Sequence, residues 1–290
     1  MTNDTTWQLS GFGDEIDPDP RIQCAVLSAL GARHVEVRSA WGTNIVDLDD
    51  DGLDALAATI RDAGMGVSAI ASPIGKSELS EPAEYELGRL DRALRAADVL
   101  GSRYIRLFSF WCHEPDASSR SSLSTSAAAR GRDEILRRMG TWAERAAAAG
   151  VTLVHENEKH IYGDVPERVL DIVRTVGSPS LRLAWDNANF VQVGVRPVAD
   201  GWAQLAPYVE YLQVKDARLA DGEVVPAGEG DGELRETIAN LRDAGFSGFA
   251  SLEPHLTDFT ATGGFSGAAA FGRAARAFRS LTDHAGVTLA

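Results

Sequence analysis

Apolar residues follow two different periodicities that alternate along the chain. Short apolar and β-branched runs such as Leu181–Asp186 and Val209–Val214 have the length of buried strands. Between such runs, apolar residues recur at helical spacing, as at Leu53, Leu56 and Ile60. The pattern therefore predicts a series of strand–helix units.

Eight units can be delimited in this way. The predicted strands are Trp7–Gly13, His34–Arg38, Val67–Ser72, Tyr104–Phe108, Val151–Glu156, Leu181–Asp186, Val209–Val214 and Phe249–Glu253. The predicted helices run from Pro18 or Pro20 to Leu30, around Leu53–Ile60, over Ala83–Leu100, around Ile135–Ala146, over Glu167–Val176, near Val198–Leu205, around Leu234–Leu241 and over Ala268–Leu281.

Glycines mark the ends of five of these helices. Each follows Leu or Ala at the end of a helical pattern and precedes a strand, and they are Gly31, Gly64, Gly101, Gly150 and Gly245. Glycine favours the left-handed conformation that ends a helix, and short connections suit repeated strand–helix units. We therefore predict one (β/α)₈ TIM barrel over residues 1–290. An open doubly wound sheet is the alternative, but no G-x-G-x-x-G follows the first strand.

Two segments interrupt this regular pattern. Residues 114–132 are rich in Ser and Ala and follow the fourth strand, where a barrel carries its active-site loops. They are expected to be a lid over the site, or else an insertion without a role. Residues 220–231 are rich in glycine but contain Glu229 and Asp231, so we predict a turn rather than a phosphate-binding loop.

Composition narrows the possible partners. The chain has 290 residues and a formal net charge of −14, which disfavours nucleic acid because phosphate is held by clustered basic groups. No apolar run approaches the length of a membrane span. The two cysteines, Cys24 and Cys112, form no CxxC pair, and the N-terminus is polar, so a cytoplasmic location is expected.

Three carboxylates end apolar strands in the second half of the chain. Glu156, Asp186 and Glu253 complete the fifth, sixth and eighth predicted strands, and a barrel brings strand ends together. Three converging carboxylates would repel one another unless a cation lay between them, and oxygen ligands favour Mg²⁺ or Mn²⁺. His155 points to the opposite strand face from Glu156, which favours a packed histidine over a ligand.

These motifs, from Gly11–Glu15 and Val35–Arg38 to Ser251–Pro254, resemble the sugar isomerase/epimerase family of xylose-isomerase-like barrels. The resemblance implies one divalent metal held from strands five to eight, at Glu156, Asp186, Gln213 and Glu253. Gln213 departs from the family, which usually has a histidine there. Asn189 likewise stands where many relatives carry a second histidine.

The resemblance also implies a chemistry. Glu156 and Glu253 would be the catalytic acid and base that move a proton next to the carbonyl of a sugar or polyol, through an enediolate. The residues that could bind substrate are Glu158, Arg106, Lys215, Asn189 and Trp185. Ion pairing at the rim, or core packing for Trp185, is the alternative for these residues.

Other functions remain open from the sequence. A metal-dependent keto-polyol dehydratase would begin with the same proton abstraction, and a sugar-binding barrel without catalysis would follow if Gln213 had cost the site its metal. A multi-metal endonuclease is disfavoured by Gln213 and by the acidic charge. Relatives suggest a homodimer or homotetramer.

Overall fold

Parallel strands form the centre of the computed structural model, which describes residues 5–112, 125–257 and 266–290. Nine strands make the main sheet in the order β9-β1-β8-β7-β6-β5-β4-β3-β2. Their bounds are β1 Thr5–Gly11, β2 His34–Val37, β3 Gly66–Ala71, β4 Tyr104–Leu107, β5 Thr152–Glu156, β6 Leu181–Asp186, β7 Val209–Val214, β8 Phe249–Leu252 and β9 Val287–Leu289.

The sheet closes into a ring between β1 and β2. A single parallel bridge joins Phe12 to Glu36 there, whereas β1 pairs with β8 over four residues. The short strand β9 runs beside the start of β1, with Thr5 opposite Val287. Strands β1 to β8 therefore follow one another around the ring in chain order, and the predicted TIM barrel is confirmed.

Helices connect successive strands. Their bounds are α1 Pro20–Ala29, α2 Asp50–Asp62, α3 Ala83–Leu100, α4 Thr125–Ala148, α5 Pro166–Val176, α6 Asn187–Gln192, α7 Leu234–Asp243 and α8 Gly267–Ala285. The helix expected near Val198–Leu205 is a series of short helical turns from Pro197 to Tyr208. No described helix is both long and apolar enough to cross a membrane.

The five predicted cap glycines have positive φ angles, between 69° and 83°. At Gly101 the backbone N–H also bonds the carbonyl of Ala97, in the last turn of α3. A side chain at such a position would strain the backbone, so glycine gives the chain its sharp exit from each helix.

The proposed lid falls largely outside the described residues, because residues 113–124 are not among them. The rest of that segment, from Thr125 onward, is the first part of α4. A lid over the site therefore stays a prediction for residues 113–124.

The glycine-rich segment after β7 folds around the Asp216 carboxylate. Asp216 accepts hydrogen bonds from the backbone N–H groups of Gly228, Gly230 and Gly232 at 2.8–3.0 Å. Asp231 accepts a further bond from Leu219 N at 2.7 Å. Carboxylates of the chain itself thus take the donors that a phosphate would need, in agreement with the predicted turn.

Gly230→Ala should destabilise this turn. A Cβ there would lie 2.5 Å from the Ala217 carbonyl oxygen and 2.5 Å from Asp216 Oδ1. Overpacking of this kind costs about 1–3 kcal/mol, measurable as a lower urea midpoint. Gly140→Ala is the matched control, because a Cβ there, within α4, meets nothing within 4 Å. A Gly230→Ala midpoint equal to that of the wild type would contradict the packing described here.

Candidate active site

A cavity of about 1030 Å³ opens at the carboxyl ends of the barrel strands. Its charged lining residues are Arg38, Lys76, Arg106, Glu158, Lys159, Lys215, Glu223, Glu253 and His255. A cavity of this size is large enough for a small sugar. Its wall therefore combines several cations with a few carboxylates, within a protein whose net charge is strongly negative.

The three carboxylates predicted from the strand ends do converge. Glu156 ends β5, Asp186 ends β6 and Glu253 follows β8, and one oxygen of each lies within 4.8 Å of the others. All three residues are buried, with 0–3% of their surface exposed. Burial of three like charges is costly unless positive charge lies among them.

Lys215 supplies positive charge at this point. Its Nζ lies 2.7 Å from Glu253 Oε2 and 3.0 Å from Asp186 Oδ2. Burial alone would lower the pKa of the Lys215 ammonium, but Asp186, Glu253 and Glu156 raise it well above its ordinary value. Lys215 is therefore a permanent cation inside the carboxylate cluster.

Arg106 and Asn189 hold Glu156. Arg106 Nη1 donates to Glu156 Oε2 at 2.7 Å, and Asn189 Nδ2 donates to Oε1 at 2.9 Å. The Arg106 guanidinium also lies over the Phe108 and Phe12 rings, 4.5 Å and 5.4 Å from their centroids. Arg106 and Asn189 both line the cavity. Among the described residues that form its wall, Glu156 is absent, so Glu156 lies behind its two donors.

Asp186 is fixed by the start of α6. Its Oδ1 caps this helix by accepting from Asn189 N at 2.8 Å, and Asn157 bonds both the carbonyl and the N–H of Asp186. Burial raises the pKa of Asp186 to about 7, the Lys215 ammonium opposes this rise, and the nearby carboxylates add to it.

Glu253 faces the cavity between two more cations. Its Oε1 lies 3.3 Å from Arg38 Nη1 and 3.3 Å from His255 Nε2. Burial alone would raise the pKa of Glu253, but Lys215 and His255 lower it well below its ordinary range. Burial would lower the pKa of His255, yet Glu253 and Glu15 raise it to about 9. Near neutral pH, Glu253 is therefore an anion and His255 a cation.

Gln213 is opposite Asp186 in the pairing of β7 with β6, and its side chain is bonded to another acid. Its Nε2 donates to Glu36 Oε1 at 3.0 Å, and the Tyr211 hydroxyl donates to Glu36 Oε2 at 2.8 Å. Burial raises the pKa of Glu36 to about 7, although Arg106 and these hydrogen bonds oppose the rise. Gln213 Oε1 has no hydrogen-bond partner in the described residues.

The other predicted site residues are divided between cavity and core. Glu158 lines the cavity and pairs with Lys76 at 3.1 Å. Trp185 lies 5.2 Å from the Phe190 ring and 5.3 Å from the Trp202 ring, ring centroid to ring centroid, and is fully buried. Trp185 is not part of the described cavity wall, so its position favours core packing over a contact with substrate.

His155 faces away from the carboxylates, as its strand position predicted. Its Nε2 lies 3.0 Å from Ser109 Oγ, and burial lowers its pKa to about 3. This histidine is neutral at physiological pH and packs within the fold.

Sequence patterns gave no definite role to several residues that hold the site. Asn157, Glu15 and Glu36 each bond a residue of the cluster or its immediate support. The sequence places Glu36 at the polar end of the second strand, but leaves its role open between an ion pair and a substrate contact. Asn157 and Glu15 have no such signal, because a neutral amide and a loop carboxylate are common at any surface.

The three carboxylates are close enough together to hold a metal ion, and Asp186 Oδ2 and Gln213 Oε1 have no hydrogen-bond partner in the described residues. Gln213 Nε2 donates to Glu36, and Lys215 already contacts two of the three carboxylates. The predicted ligation of Mg²⁺ or Mn²⁺ therefore stays a prediction.

Comparisons with known proteins agree with the barrel fold. The family model described as "xylose isomerase-like TIM barrel" matches residues 24–281. The chain is similar in structure to the IolI protein with a bound zinc atom, with a TM-score of 0.76, 15% identity and coverage of 96% of this chain and 98% of that one. No curated protein matches it in sequence.

Two further solved structures are similar. One is a xylose isomerase-like TIM barrel protein from Mycobacterium smegmatis in complex with magnesium. Its TM-score is 0.73 and its identity 16%, and the match covers 99% of this chain and 100% of that one. The other is D-psicose 3-epimerase with D-tagatose from Clostridium cellulolyticum H10, with a TM-score of 0.72, 12% identity and coverage of 97% and 99%. At these identities the likeness concerns the fold alone. The family model, which spans most of the chain, shows that this protein belongs to the xylose isomerase-like TIM barrel family.

Proposed function

We propose that this protein is an isomerase or epimerase that moves a proton next to the carbonyl of a sugar or polyol. One observation carries the proposal: the Glu253 carboxylate lines the cavity with the Lys215 ammonium 2.7 Å from it. A base beside a fixed cation is the arrangement that proton abstraction next to a carbonyl requires, because the removed proton leaves negative charge on the oxygen.

In this mechanism Glu253 takes a proton from the carbon next to the carbonyl. The Lys215 ammonium, which also lines the cavity, donates a hydrogen bond to the carbonyl oxygen and stabilises the enediolate. Delivery of a proton to the opposite face of the same carbon by a second group gives epimerisation, after which Glu253 releases its proton to solvent. Transfer of the proton from Glu253 to the neighbouring carbon, while a hydroxyl proton moves between the two substrate oxygens, gives isomerisation.

Glu156 is the proposed second proton-transfer group. It lies behind Arg106 and Asn189, so it reaches a substrate only when these side chains turn aside. Arg106, Asn189 and Glu158 line the wall and are the proposed contacts for substrate hydroxyls. The mechanism requires no Mg²⁺ or Mn²⁺, because Lys215 supplies the positive charge at the cavity.

A dehydratase is the second candidate function, favoured by His255. This side chain lines the cavity, and its Nε2 lies 3.3 Å from Glu253 Oε1. A protonated imidazole there could give its proton to a leaving β-hydroxyl after Glu253 had removed the first proton.

Solvent exchange tests both candidates. Ketohexoses and keto-inositols, the former suggested by the similar epimerase, would be incubated with the protein in D₂O and followed by NMR and mass spectrometry. We expect deuterium at the carbon next to the carbonyl. Retention of the oxygen atoms would identify an isomerase or epimerase, and loss of water a dehydratase. Absence of exchange and of water loss across both substrate classes would overturn the proposed proton transfer.

A further inference from the structure

Lys215 lies where a metal ion would have to bind. Its Nζ contacts Asp186 Oδ2 at 3.0 Å and Glu253 Oε2 at 2.7 Å, and its side chain is 3% exposed. A Mg²⁺ or Mn²⁺ ion bridging these oxygens would lie about 2.0–2.2 Å from each, directly beside the ammonium. Two cations in a buried site repel strongly because little water screens them.

The remaining carboxylate oxygens already have donors. Glu156 accepts from Arg106 at 2.7 Å and from Asn189 at 2.9 Å, and Asp186 Oδ1 accepts from Asn189 N at 2.8 Å. Glu253 Oε1 lies 3.3 Å from both Arg38 and His255. Five of the six oxygens of the three carboxylates therefore contact an N–H donor, and the sixth, Asp186 Oδ2, has no hydrogen bond in the described residues but lies 3.0 Å from the Lys215 ammonium.

The cluster also already contains basic side chains. Three cations contact the three carboxylates, and they are Lys215, Arg106 and Arg38. Arg38 is shared with Asp14, and the His255 imidazole lies between Glu253 and Glu15. A divalent ion would add two positive charges to a buried group in which each carboxylate already has a cation beside it.

Gln213 adds no negative charge. Its amide is neutral, and it donates from Nε2 to Glu36 at 3.0 Å. A neutral carboxamide is a weak ligand compared with a carboxylate, so it does not offset the repulsion between an ion and Lys215.

We infer that the Lys215 ammonium is the resident cation of this site and that Glu156, Asp186 and Glu253 bind no divalent metal while it is in place. The inference concerns the same cavity as the proposed function and rests on that function only for the catalytic role of Lys215. The lysine stabilises the carboxylates at rest and the developing oxyanion during reaction.

Metal binding tests this inference without any substrate. Elemental analysis of the purified full chain should find no stoichiometric divalent metal, and titration with Mn²⁺ alone should show no buried site. Lys215→Met removes the ammonium and should raise the affinity for Mn²⁺ by on the order of 10²-fold or more, with one ion bound per chain. Adding Glu156→Gln to Lys215→Met should remove this gain.

Lys76→Met is the matched control. Lys76 also lines the cavity, but it pairs with Glu158 and not with the three carboxylates. Its loss should leave Mn²⁺ affinity unchanged. If Lys215→Met folds only when Mn²⁺ is present, the ion has replaced the ammonium and the inference is supported. If Lys215→Met does not fold at all, the metal content of the wild-type protein alone decides whether the inference holds.

One equivalent of metal in the wild type, lost on Glu156→Gln, would overturn the inference. Deuterium exchange into substrate that stops when a chelator removes divalent metal would also overturn the inference. The proposed proton transfer would remain intact in that case. A wild-type protein that holds no metal and exchanges no proton with any tested substrate would support the inference about Lys215. The same result would contradict the proposed isomerase or epimerase activity.

Discussion

Glu253→Gln should slow deuterium exchange into the substrate by on the order of 10²–10⁴-fold. The amide cannot accept the proton that the carboxylate takes, although it occupies nearly the same space. Glu253 suits this role because it lines the cavity beside the Lys215 ammonium, which would face the developing oxyanion. The measurement is the exchange rate by NMR at saturating substrate, with folding checked by circular dichroism.

Glu158→Gln separates proton transfer from substrate binding. Glu158 lies on the same cavity wall and pairs with Lys76, so it also loses a paired, half-buried charge when it becomes Gln. We expect KM to rise while kcat is retained, since a substrate contact contributes to binding rather than to the chemical step. Equal losses of kcat in both variants would remove the distinction, and a Glu253→Gln rate like that of the wild type would rule out Glu253 as the base.

Much of the barrel could be predicted because its strands are buried on both faces. The bounds of β6, β7 and α3 agree with the sequence, where mostly apolar runs or a long helical stripe end at a charge or at a glycine. Strand β9 was missed because its three residues are too short to show periodicity. It exists through pairing with β1, a distant part of the chain.

Helix α6 was missed for a related reason. Its six residues, Asn187–Gln192, span less than two turns and are all but one buried, so no helical stripe appears. Its existence depends on Asp186, whose side chain caps it directly after β6. A residue predicted as a metal ligand thus also has a structural task that no pattern of apolar residues reveals.

The convergence of Glu156, Asp186 and Glu253 followed from strand counting, but their partners did not. The pattern indicates which strand ends meet, and it leaves Lys215 open between a substrate contact and an ion pair. Only the side-chain directions show that the lysine turns toward Asp186 and Glu253. The prediction of a cation rests on the charges of the strand ends, whereas the choice between a metal and an ammonium depends on contacts between residues far apart in sequence.

Arg106→Met should destabilise the protein by about 3–5 kcal/mol, because it leaves the buried Glu156 carboxylate without its cation. Arg106 is 4% exposed and Glu156 1% exposed, so both members of the pair are buried. Methionine keeps much of the contact with the Phe108 ring, which confines the change mainly to charge. The measurement is the free energy of unfolding in urea.

The double variant Arg106→Met/Glu156→Gln should recover most of that loss, because a neutral pair no longer buries an unmatched charge. Arg137→Met is the control for arginine loss itself: its partner Glu134 lies one helical turn away, both side chains are exposed, and stability should change little. If the two losses at Arg106 and Glu156 simply added, the pair would not be coupled, and the pairing of cations with carboxylates described for the whole cluster would fail with it.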